Sequence, residues 1–412
     1  MFKTTRNLKY YSWVVVGLLW LVALLNYFDR LLIASMRDPI KESIAMTDAQ
    51  FGLLTSVFLW VYGILSPFGG YFADKYSRKR VIVFSLLVWS AVTLWTGVVR
   101  SFPEMLIARA IMGISEACYI PAAVALITEY HKGKTRSLAT GLHISGLYAG
   151  MALGGVGGYI ADLWGWRYGF QTFGGFGLVY AAIMYFVLRD FPKEQNEITE
   201  DQAIADTDNV SVIDSLKSLF SKGSFWILMF YNGAIGMSFW VIYSWLPTYL
   251  KEHFSLGLGK AGISATGYIQ IASFIGVIVG GSIADRWSRT NKRGRLYMPV
   301  IGFTLGGPFL FLMASTGMFG IAILSMIIFG LARGFHDSNL MPVMCQVIEK
   351  KYRATGYGFL NFMSTMIGGI MVYVGGALKD ANIGLSLVFQ ISAVVLLVSS
   401  WLLLAVKPGT DN

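Results

Sequence analysis

Long apolar blocks separated by short polar connections dominate this sequence. About 20 apolar residues cross the hydrocarbon core of a bilayer as a helix, and twelve blocks of roughly that length follow one another. They cover, to within a few residues, positions 12–35, 51–73, 79–99, 103–130, 137–160, 166–188, 225–250, 259–284, 296–315, 318–348, 355–377 and 384–406. The pattern predicts an all-α integral membrane protein with twelve transmembrane helices.

The polar connections differ in charge in a regular way. Lys and Arg are concentrated at the N-terminus and in alternate connections, at residues 75–80, 132–136, 286–295 and 350–353. Because cytoplasmic loops carry the excess of Lys and Arg, we expect these connections and both termini in the cytoplasm. The formal charge of +10 therefore belongs to separate loops and forms no continuous basic face, so nucleic-acid binding is not expected.

A ten-residue stretch occurs twice, at residues 69–78 and 280–289, with its glycines and its Ala, Asp, Ser and Arg in register. A second pair aligns at nearly the same offset, since Gly, Glu and Pro at 113, 116 and 121 match Gly, Asp and Pro at 334, 337 and 342. Duplicated membrane units are common in transporters. The repeat predicts two six-helix bundles, residues 1–188 and 224–412, joined by a polar cytoplasmic linker at 189–223.

The repeated stretch also predicts a cytoplasmic gate. Paired glycines let helices approach closely. The Asp at the end of a helix can accept hydrogen bonds from the Arg that follows it or from the N-terminus of another helix. Such contacts would hold one face of the protein closed and would break when that face opens. The predicted gate residues are Gly70, Asp74, Arg78, Gly281, Asp285 and Arg289.

Charged residues are scarce, at 14% of the chain, compared with about 25% in soluble domains. An ionisable side chain at the bilayer centre costs about 2.5–3.5 kcal/mol, so each one needs a partner or a function. Three spans carry such residues, namely Asp29 and Arg30, Arg109 and Glu116, and Arg333, His336 and Asp337. The sequence contains no metal-ligand spacing, phosphate-binding loop or catalytic motif, and we expect neither enzymatic activity nor a metal or cofactor.

Depth along the helices suggests partners for the first four residues. At about 1.5 Å per residue, Asp29 and Arg109 reach similar depths and are predicted to pair, either for function or as a static link between two helices. Arg30 would be left over, and a spare guanidinium matches the two oxygens of a carboxylate or phosphate. Glu116 lies about 10 Å deeper than Arg109, where a carboxylate can exchange a proton. An anionic substrate is expected.

Two histidines and a second charged pair allow alternative interpretations. Arg333 and Asp337 are one helical turn apart and could simply neutralise each other. His336 and His143 could titrate or could only hydrogen-bond between helices. Three tyrosines lie near the depth of the charged residues, namely Tyr27, Tyr62 and Tyr231.

The whole chain resembles the major facilitator superfamily. Gly70-x-x-x-Asp74-x-x-x-Arg78-Lys79-Arg80 is similar to the signature between its second and third spans, although Ser77 replaces the usual glycine. Four shorter motifs resemble the anion:cation symporter family, which includes bacterial aldonate and hexuronate symporters and animal sialic-acid and phosphate carriers. They are Asn-Tyr-Phe-Asp-Arg at 26–30, Arg-x-x-x-Gly-x-x-Glu-Ala at 109–117, Gly-Trp-Arg at 165–167 and Trp-Leu-Pro-Thr-Tyr at 245–249.

The resemblance implies proton-coupled uptake of a small organic anion, such as a sugar acid, by alternating access, with the proton gradient as the energy source. Arg30 would bind the carboxylate, and Asp29, Glu116 and Arg109 would couple protons. The rest of the expected substrate site is Tyr27, Tyr62, His143, Tyr231 and Asn361. The group Arg333, His336 and Asp337 departs from the family pattern and is a candidate second polar cluster.

Other functions remain open at this point. A spinster-type lipid carrier shares a similar first and fourth span, although the motif at 245–249 favours the symporters. An organophosphate:phosphate antiporter would need a cation in the seventh span, which has none before Lys251. A membrane sensor would need a partner surface in the linker. The short outer loops are typical of bacterial carriers, and we expect a monomer in a bacterial inner membrane.

Overall fold

The computed structural model describes residues 5–192 and 212–407, and almost all of them are helical. The helices are α1 (Thr5–Leu32), α2 (Arg37–Ser43), α3 (Asp48–Lys75), α4 (Arg78–Thr96), α5 (Phe102–Glu116), α6 (Tyr119–Tyr130), α7 (Arg136–Leu153), α8 (Gly157–Trp164), α9 (Trp166–Val187), α10 (Val212–Phe220), α11 (Gly223–His253), α12 (Leu258–Ser288), α13 (Gly294–Met313), α14 (Phe319–Val347), α15 (Arg353–Asp380) and α16 (Leu385–Leu402).

Within the described part of the chain, twelve helical stretches are long and apolar enough to cross a membrane. The predicted all-α membrane architecture is therefore confirmed. Most of the predicted linker lies outside the described residues. Its end contains α10, which the sequence did not predict.

Three spans depart from single uninterrupted helices. The first continues through a 3-10 turn into α2 and ends at Ser43. Its predicted end was residue 35, because the prediction counted apolar residues and ended the span before the first charged residues that follow. The fourth consists of α5 and α6, which are separated by residues 117–118. The fifth is interrupted by a 3-10 turn at Gly154–Val156. The fourth span matters for function because Glu116 is the last residue of α5.

Helix starts follow local sequence signals. Thr47 and Gln50 form a reciprocal capping box at the start of α3, which satisfies two backbone N–H groups that have no partner within the helix. Ser101 caps α5 through its side chain, and a proline lies in the first turn of that helix, where its missing N–H is not needed. These caps fix where α3 and α5 begin and so set the heights of their buried polar side chains.

The chain divides into two compact units. Unit 1 comprises Met1–Phe191 and Tyr243–Gln270, and unit 2 comprises Pro192–Ile242 and Ile271–Asn412. In unit 1, α1 packs along α7, and α4 packs along α9. In unit 2, α13 packs along α14 and α16. The predicted six-plus-six division stays a prediction.

Small residues allow the close packing in both units. A Cβ added at Gly174 of α9 would lie 2.6 Å from the Cα of Leu94 in α4. A Cβ at Gly334 of α14 would lie 2.5 Å from the backbone of α12 at Gly276. The second contact holds α14 against α12 at Gly334, two residues before His336 and three before Asp337.

Candidate functional site

A buried ion pair joins α1 to α5 in unit 1. Arg30 Nε donates a hydrogen bond to Glu116 Oε2 at 2.6 Å, and the side chains are 2% and 0% exposed. Arg30 Nη2 is also buried and makes no hydrogen bond within the described part of the chain. The sequence-based expectation that Arg30 would be left without a partner is therefore wrong, because Glu116 takes that place.

Helix direction explains why Arg30 reaches Glu116. Side chains on a helix lean toward the N-terminus of that helix. The first and fourth spans run in opposite directions, so Arg30 leans toward the beginning of α1 while Glu116 leans back toward the beginning of α5. A count of Cα heights alone separates the two groups, whereas the lean and the length of the arginine bring them together.

Three aromatic rings surround the Arg30 guanidinium. Its central carbon lies 4.5 Å from the ring centre of Tyr27, 4.5 Å from that of Tyr62 and 5.1 Å from that of Phe58. The negative faces of aromatic rings attract cations, and this attraction is larger when the cation is desolvated. Phe58 was not predicted as a site residue because a phenylalanine in an apolar span carries no chemical signal. Its position one turn before Tyr62 is the feature that could have identified it.

Asp29 and Arg109 lie near this pair but do not form the predicted ion pair. Asp29 Oδ2 accepts a hydrogen bond from Thr93 at 3.1 Å, and no ion pair between Asp29 and Arg109 occurs among the described residues. Arg109 donates a long hydrogen bond to the carbonyl of Leu54 at 3.4 Å. Its guanidinium carbon lies 4.9 Å from the ring centre of Phe58, so that ring contacts both arginines. We call Asp29, Arg30, Phe58, Arg109 and Glu116 the Arg30 cluster.

His143 is fully buried in unit 1, away from the Arg30 cluster. Its Nε2 lies 2.9 Å from the hydroxyl of Tyr119, which donates to the carbonyl of Leu19. Leu19 precedes Arg30 by eleven residues, which is about 16 Å along α1. The structure therefore places His143 in the helix packing between α1, α6 and α7. A substrate-binding role for His143 stays a prediction.

Unit 2 contains a separate polar group, which we call the His336 cluster: Tyr231, Phe239, Arg333, His336 and Asp337. His336 Nδ1 lies 2.7 Å from the Tyr231 hydroxyl, and Arg333 Nε lies 3.4 Å from Asp337 Oδ2. The Arg333 guanidinium lies 4.9 Å from the ring centre of Phe239. Every member except Asp337 is buried, and the Asp337 side chain is 23% exposed.

Asn361 occupies α15 and is half-buried. Its carbonyl accepts a hydrogen bond from the Thr365 side chain at 3.0 Å. Within the part of the chain that the structure describes, no hydrogen bond links the Asn361 amide to the His336 cluster. Its predicted role in substrate binding therefore rests on the family resemblance.

The predicted gate residues have mixed surroundings. The surroundings of Gly70 and of the Asp74 side chain lie outside what the structure describes. Arg78 forms an ion pair with Glu129 at 3.2 Å, and Asp285 accepts from Arg295 at 2.6 Å in place of the predicted Arg289. Gly281 and Arg289 lie near the two ends of the second copy of the repeat. A Cβ added at Gly281 would lie 3.6 Å from the Cβ of Ser338, and Arg289 is exposed.

A denser ion-pair network that the sequence did not predict lies elsewhere in unit 1, around α2. Arg37 bonds to Asp38 and Asp48, and Lys41 lies 2.7 Å from Asp48. Lys251, at the end of α11, bonds to Asp38. Arg37 and Asp48 are buried. The network ties the segment after the first span to the end of the seventh.

The sequence model of the Major Facilitator Superfamily matches residues 19–373. The chain belongs to that superfamily. This membership confirms the predicted family and fold, and it makes the protein a multi-pass membrane transporter and not an enzyme. The solved structure of a bacterial homolog of the human lysosomal transporter spinster has the same fold, with a TM-score of 0.80 at 20% identity over 97% of this chain and 99% of that one.

Several major facilitator proteins are similar in sequence. The probable sulfoacetate transporter of Cupriavidus necator is 26% identical over 96% of this chain and 94% of its own length. The spinster homolog 1 of Xenopus tropicalis is 27% identical, covering 73% of this chain and 60% of its own length. The D-galactonate transporter of Escherichia coli is 26% identical over 66% of this chain and 67% of its own length.

Proposed function

We propose that this major facilitator protein is a proton-coupled importer of a small organic anion that carries a carboxylate or sulfonate. The observation that supports the proposal most strongly is the buried pair between Arg30 and Glu116. A carboxylate of the protein already occupies part of the guanidinium fork at 2.6 Å, so an external anion and Glu116 compete for the same donor.

The competition gives a coupling mechanism. When Glu116 binds a proton, its negative charge disappears and Arg30 is left as an uncompensated buried cation, which is unfavourable. An anionic substrate then restores the balance by accepting from the guanidinium, whose geometry suits two oxygens at once. When Glu116 loses its proton, it regains Arg30 and displaces the substrate. Proton binding and anion binding therefore favour each other.

The remaining members of the Arg30 cluster, together with the neighbouring Tyr27 and Tyr62, have supporting roles in this proposal. Phe58, Tyr27 and Tyr62 hold the guanidinium in one place, which reduces the loss of side-chain entropy on binding. Asp29 is a second candidate proton carrier, and Arg109 keeps a positive charge beside it. Two of the relatives are named for organic anions, sulfoacetate and D-galactonate, and both compounds are suitable first probes.

The test is uptake of labelled D-galactonate and sulfoacetate by the purified protein in liposomes, with and without an inward proton gradient. We expect gradient-driven accumulation of at least one anion. Glu116→Gln should keep anion exchange at equal pH and lose accumulation. Glu104→Gln, which changes an acidic residue in the first turn of the same helix, is the matched control and should keep both. Accumulation by Glu116→Gln would exclude Glu116 as the coupling group.

A lipid carrier is the second candidate because spinster proteins are similar in both sequence and fold. The same liposomes can be assayed for transfer of labelled lysophosphatidylcholine between leaflets. Lysolipid transfer without uptake of either anion would favour this candidate over the symporter. Binding of an anion without any flux would favour a sensor.

A further inference from the structure

The buried asparagines of the spans differ in how their amides are bonded. Three asparagines are buried in the part of the chain that the structure describes, namely Asn26, Asn232 and Asn339. In Asn232 and Asn339, the side-chain nitrogen donates to the carbonyl four residues earlier in the same helix, at 2.8 and 2.9 Å. Asn26 lacks this contact, and both polar atoms of its amide are buried without a hydrogen bond to the described residues. No backbone contact therefore prevents the Asn26 amide from rotating.

Asn26 lies beside the Arg30 cluster in unit 1. It precedes Arg30 by one turn of α1 and is 0% exposed. Its amide is close enough to the Glu116 carboxylate to interact with it. Glu116 Oε1, the oxygen that is not bonded to Arg30, is also buried and makes no hydrogen bond within the described chain. Buried polar groups normally have a partner, so the amide and this oxygen are the natural partners of each other.

The charged groups that face Glu116 offer many hydrogen-bond donors and few acceptors. Arg30 comes from α1 and Arg109 from α5 itself, and each has a buried Nη2 that makes no hydrogen bond within the described chain. A guanidinium group donates hydrogen bonds and accepts none. Asp29 of α1 acts on Glu116 through its charge, and no hydrogen bond joins the two acids among the described residues. The Asn26 amide is therefore the neutral group here that can either donate or accept.

The helices packed on α5 add no further charge at this depth. They are α3, α4 and α6, and their charged residues occur only in their first or last turns. The tyrosines nearby are Tyr27 of α1 and Tyr62 of α3, whose rings contact the guanidinium, and Tyr119 of α6, which donates to the carbonyl of Leu19. The charge state of Glu116 therefore depends chiefly on the two arginines, on Asp29 and on the amide.

A proton on Glu116 changes which kind of partner it needs. The charged carboxylate only accepts hydrogen bonds, and the two arginines supply donors for it. The neutral acid has an O–H that donates, and a buried O–H without an acceptor is costly. The side-chain oxygen of Asn26 can be this acceptor. A rotation of the amide by about 180° turns its oxygen toward Glu116 in place of its nitrogen.

We infer that Asn26 is a positioning residue for the proton on Glu116, because its Oδ1 accepts from the acid and stabilises the protonated form. The inference rests on the proposed function in taking Glu116 as the coupling group. The proton comes from water and adds to Oε1, while Oε2 stays on the side of Arg30. When the proton returns to water, the amide nitrogen turns back toward the carboxylate.

The effect of the amide should be larger on the neutral acid than on the carboxylate. Arg30 and Arg109 supply donors to the charged form whether or not Asn26 is present, whereas the neutral form loses its acceptor when Asn26 is removed. Loss of one such hydrogen bond should lower the proton affinity of Glu116 by about tenfold, which is about one pH unit.

Infrared spectroscopy tests the inference without any substrate. The C=O stretching band of a carboxylic acid is present only when the group is protonated, and the part that disappears in Glu116→Gln belongs to Glu116. The protein in lipid nanodiscs is titrated between about pH 4 and pH 10. In Asn26→Leu, the midpoint of the Glu116 band should move by about one unit to lower pH. Its frequency should rise, because the O–H has lost its acceptor.

Two further variants accompany this titration. Asn26→Thr is similar in size to the wild type and keeps a hydroxyl oxygen that can accept, so its midpoint should lie between those of the wild type and Asn26→Leu. Asn232→Leu is the matched control, because it removes a buried amide that is bonded within its own helix, and it should leave the Glu116 band unchanged.

The possible results separate the inference from the proposed function. If the Glu116 band has the same midpoint and frequency in the wild type and both Asn26 variants, the inference is overturned and the proposed function stands. If no band belongs to Glu116 at any pH in the range, Glu116 carries no proton, and both are overturned.

The affinity for an anion gives a second readout. Half-saturation by D-galactonate or sulfoacetate is measured over the same pH range, with equal pH on both sides of the liposome. Asn26→Leu should match the wild type at low pH, where Glu116 is protonated in both proteins, and should bind about tenfold more weakly at the alkaline end. Asn232→Leu should match the wild type throughout. An equal loss of affinity at every pH in Asn26→Leu would make Asn26 a direct ligand or a packing residue, and would overturn its role through the proton.

Discussion

Glu116 and Asp337 occupy matching positions in the internal repeat, yet they differ in where their arginine comes from. Glu116 is paired with Arg30, which belongs to another helix and lies 86 residues away. Asp337 is paired with Arg333 of its own helix, one turn earlier. A pair within one helix moves as a unit and is unaffected when helices shift. A pair between helices changes with their positions, and its donor can be captured by a ligand. On the proposed function, the duplicated position would serve transport in unit 1 and have a supporting role in unit 2.

The largest expected difference between the two pairs is in stability. Arg30→Met leaves a buried Glu116 without its ion-pair partner, and breaking a buried pair in this way costs about 3–5 kcal/mol. Arg333→Met should cost about 1 kcal/mol or less, because Asp337 is partly exposed and can be hydrated. Unfolding of both variants in mixed micelles, followed by denaturant titration, measures the two free energies. Equal losses would contradict the distinction between the pairs.

A smaller effect is expected on anion affinity from a change of cation. Arg30→Lys replaces a planar fork with a point charge, and we expect the affinity for D-galactonate or sulfoacetate to fall about tenfold or more. Arg333→Lys should change the affinity less than about threefold, because its carboxylate partner stays beside it. Isothermal titration at constant pH gives both values. A larger loss for Arg333→Lys would mean that unit 2 binds the anion directly.

The smallest effect is expected from the aromatic partners of the two arginines. Phe58→Leu removes a ring that contacts both Arg30 and Arg109, and the cation–π interaction of a desolvated cation is worth about 1–2 kcal/mol. Arg30 keeps its contacts with Tyr27 and Tyr62, so only part of this energy should be lost, and affinity should fall by less than about fivefold. Phe239→Leu, the matched change beside Arg333, should leave the affinity near the wild-type value. A similar loss in both variants would indicate a general packing defect.

The twelve-span architecture was predictable because the length of an apolar segment that crosses the membrane depends on the bilayer alone. The twelve spans could be predicted from the lengths of the apolar blocks, without any knowledge of how the helices pack. The part of the first span beyond residue 35 was not predicted, because α2 carries Arg37, Asp38 and Lys41. A prediction that counts apolar residues assigns such a charged segment to a loop. These charges are stabilised by Asp48 and by the distant Lys251, and a partner so remote in sequence leaves no local signal.

The charged residues of the Arg30 cluster could be predicted from the sequence, but the ion pairs that they form could not. The charges of Asp29, Arg30, Arg109 and Glu116 were conspicuous in apolar spans, so their shared importance could be inferred. Which acid meets which base depends on the lean of the side chains and on helix spacing, neither of which a residue count contains. The neutral contributors were missed for another reason. Thr93 and Phe58 are common residues in membrane helices, and only the position of a charged neighbour distinguishes them.

The interruption of the fourth span directly follows Glu116, the last residue of α5 and a member of the Arg30 cluster. At the interruption, the backbone hydrogen bonds of Ala117 and Cys118 are long, at 3.3 and 3.4 Å, and Gly69 packs closely against them, since a Cβ there would lie 2.9 Å from the Ala117 carbonyl carbon. We expect a tilt of α6 to be absorbed at this joint with little displacement of Glu116. Cys118 lies at the joint, two residues after Glu116, so the mobility of a spin label on its thiol would report movement of the backbone at this point.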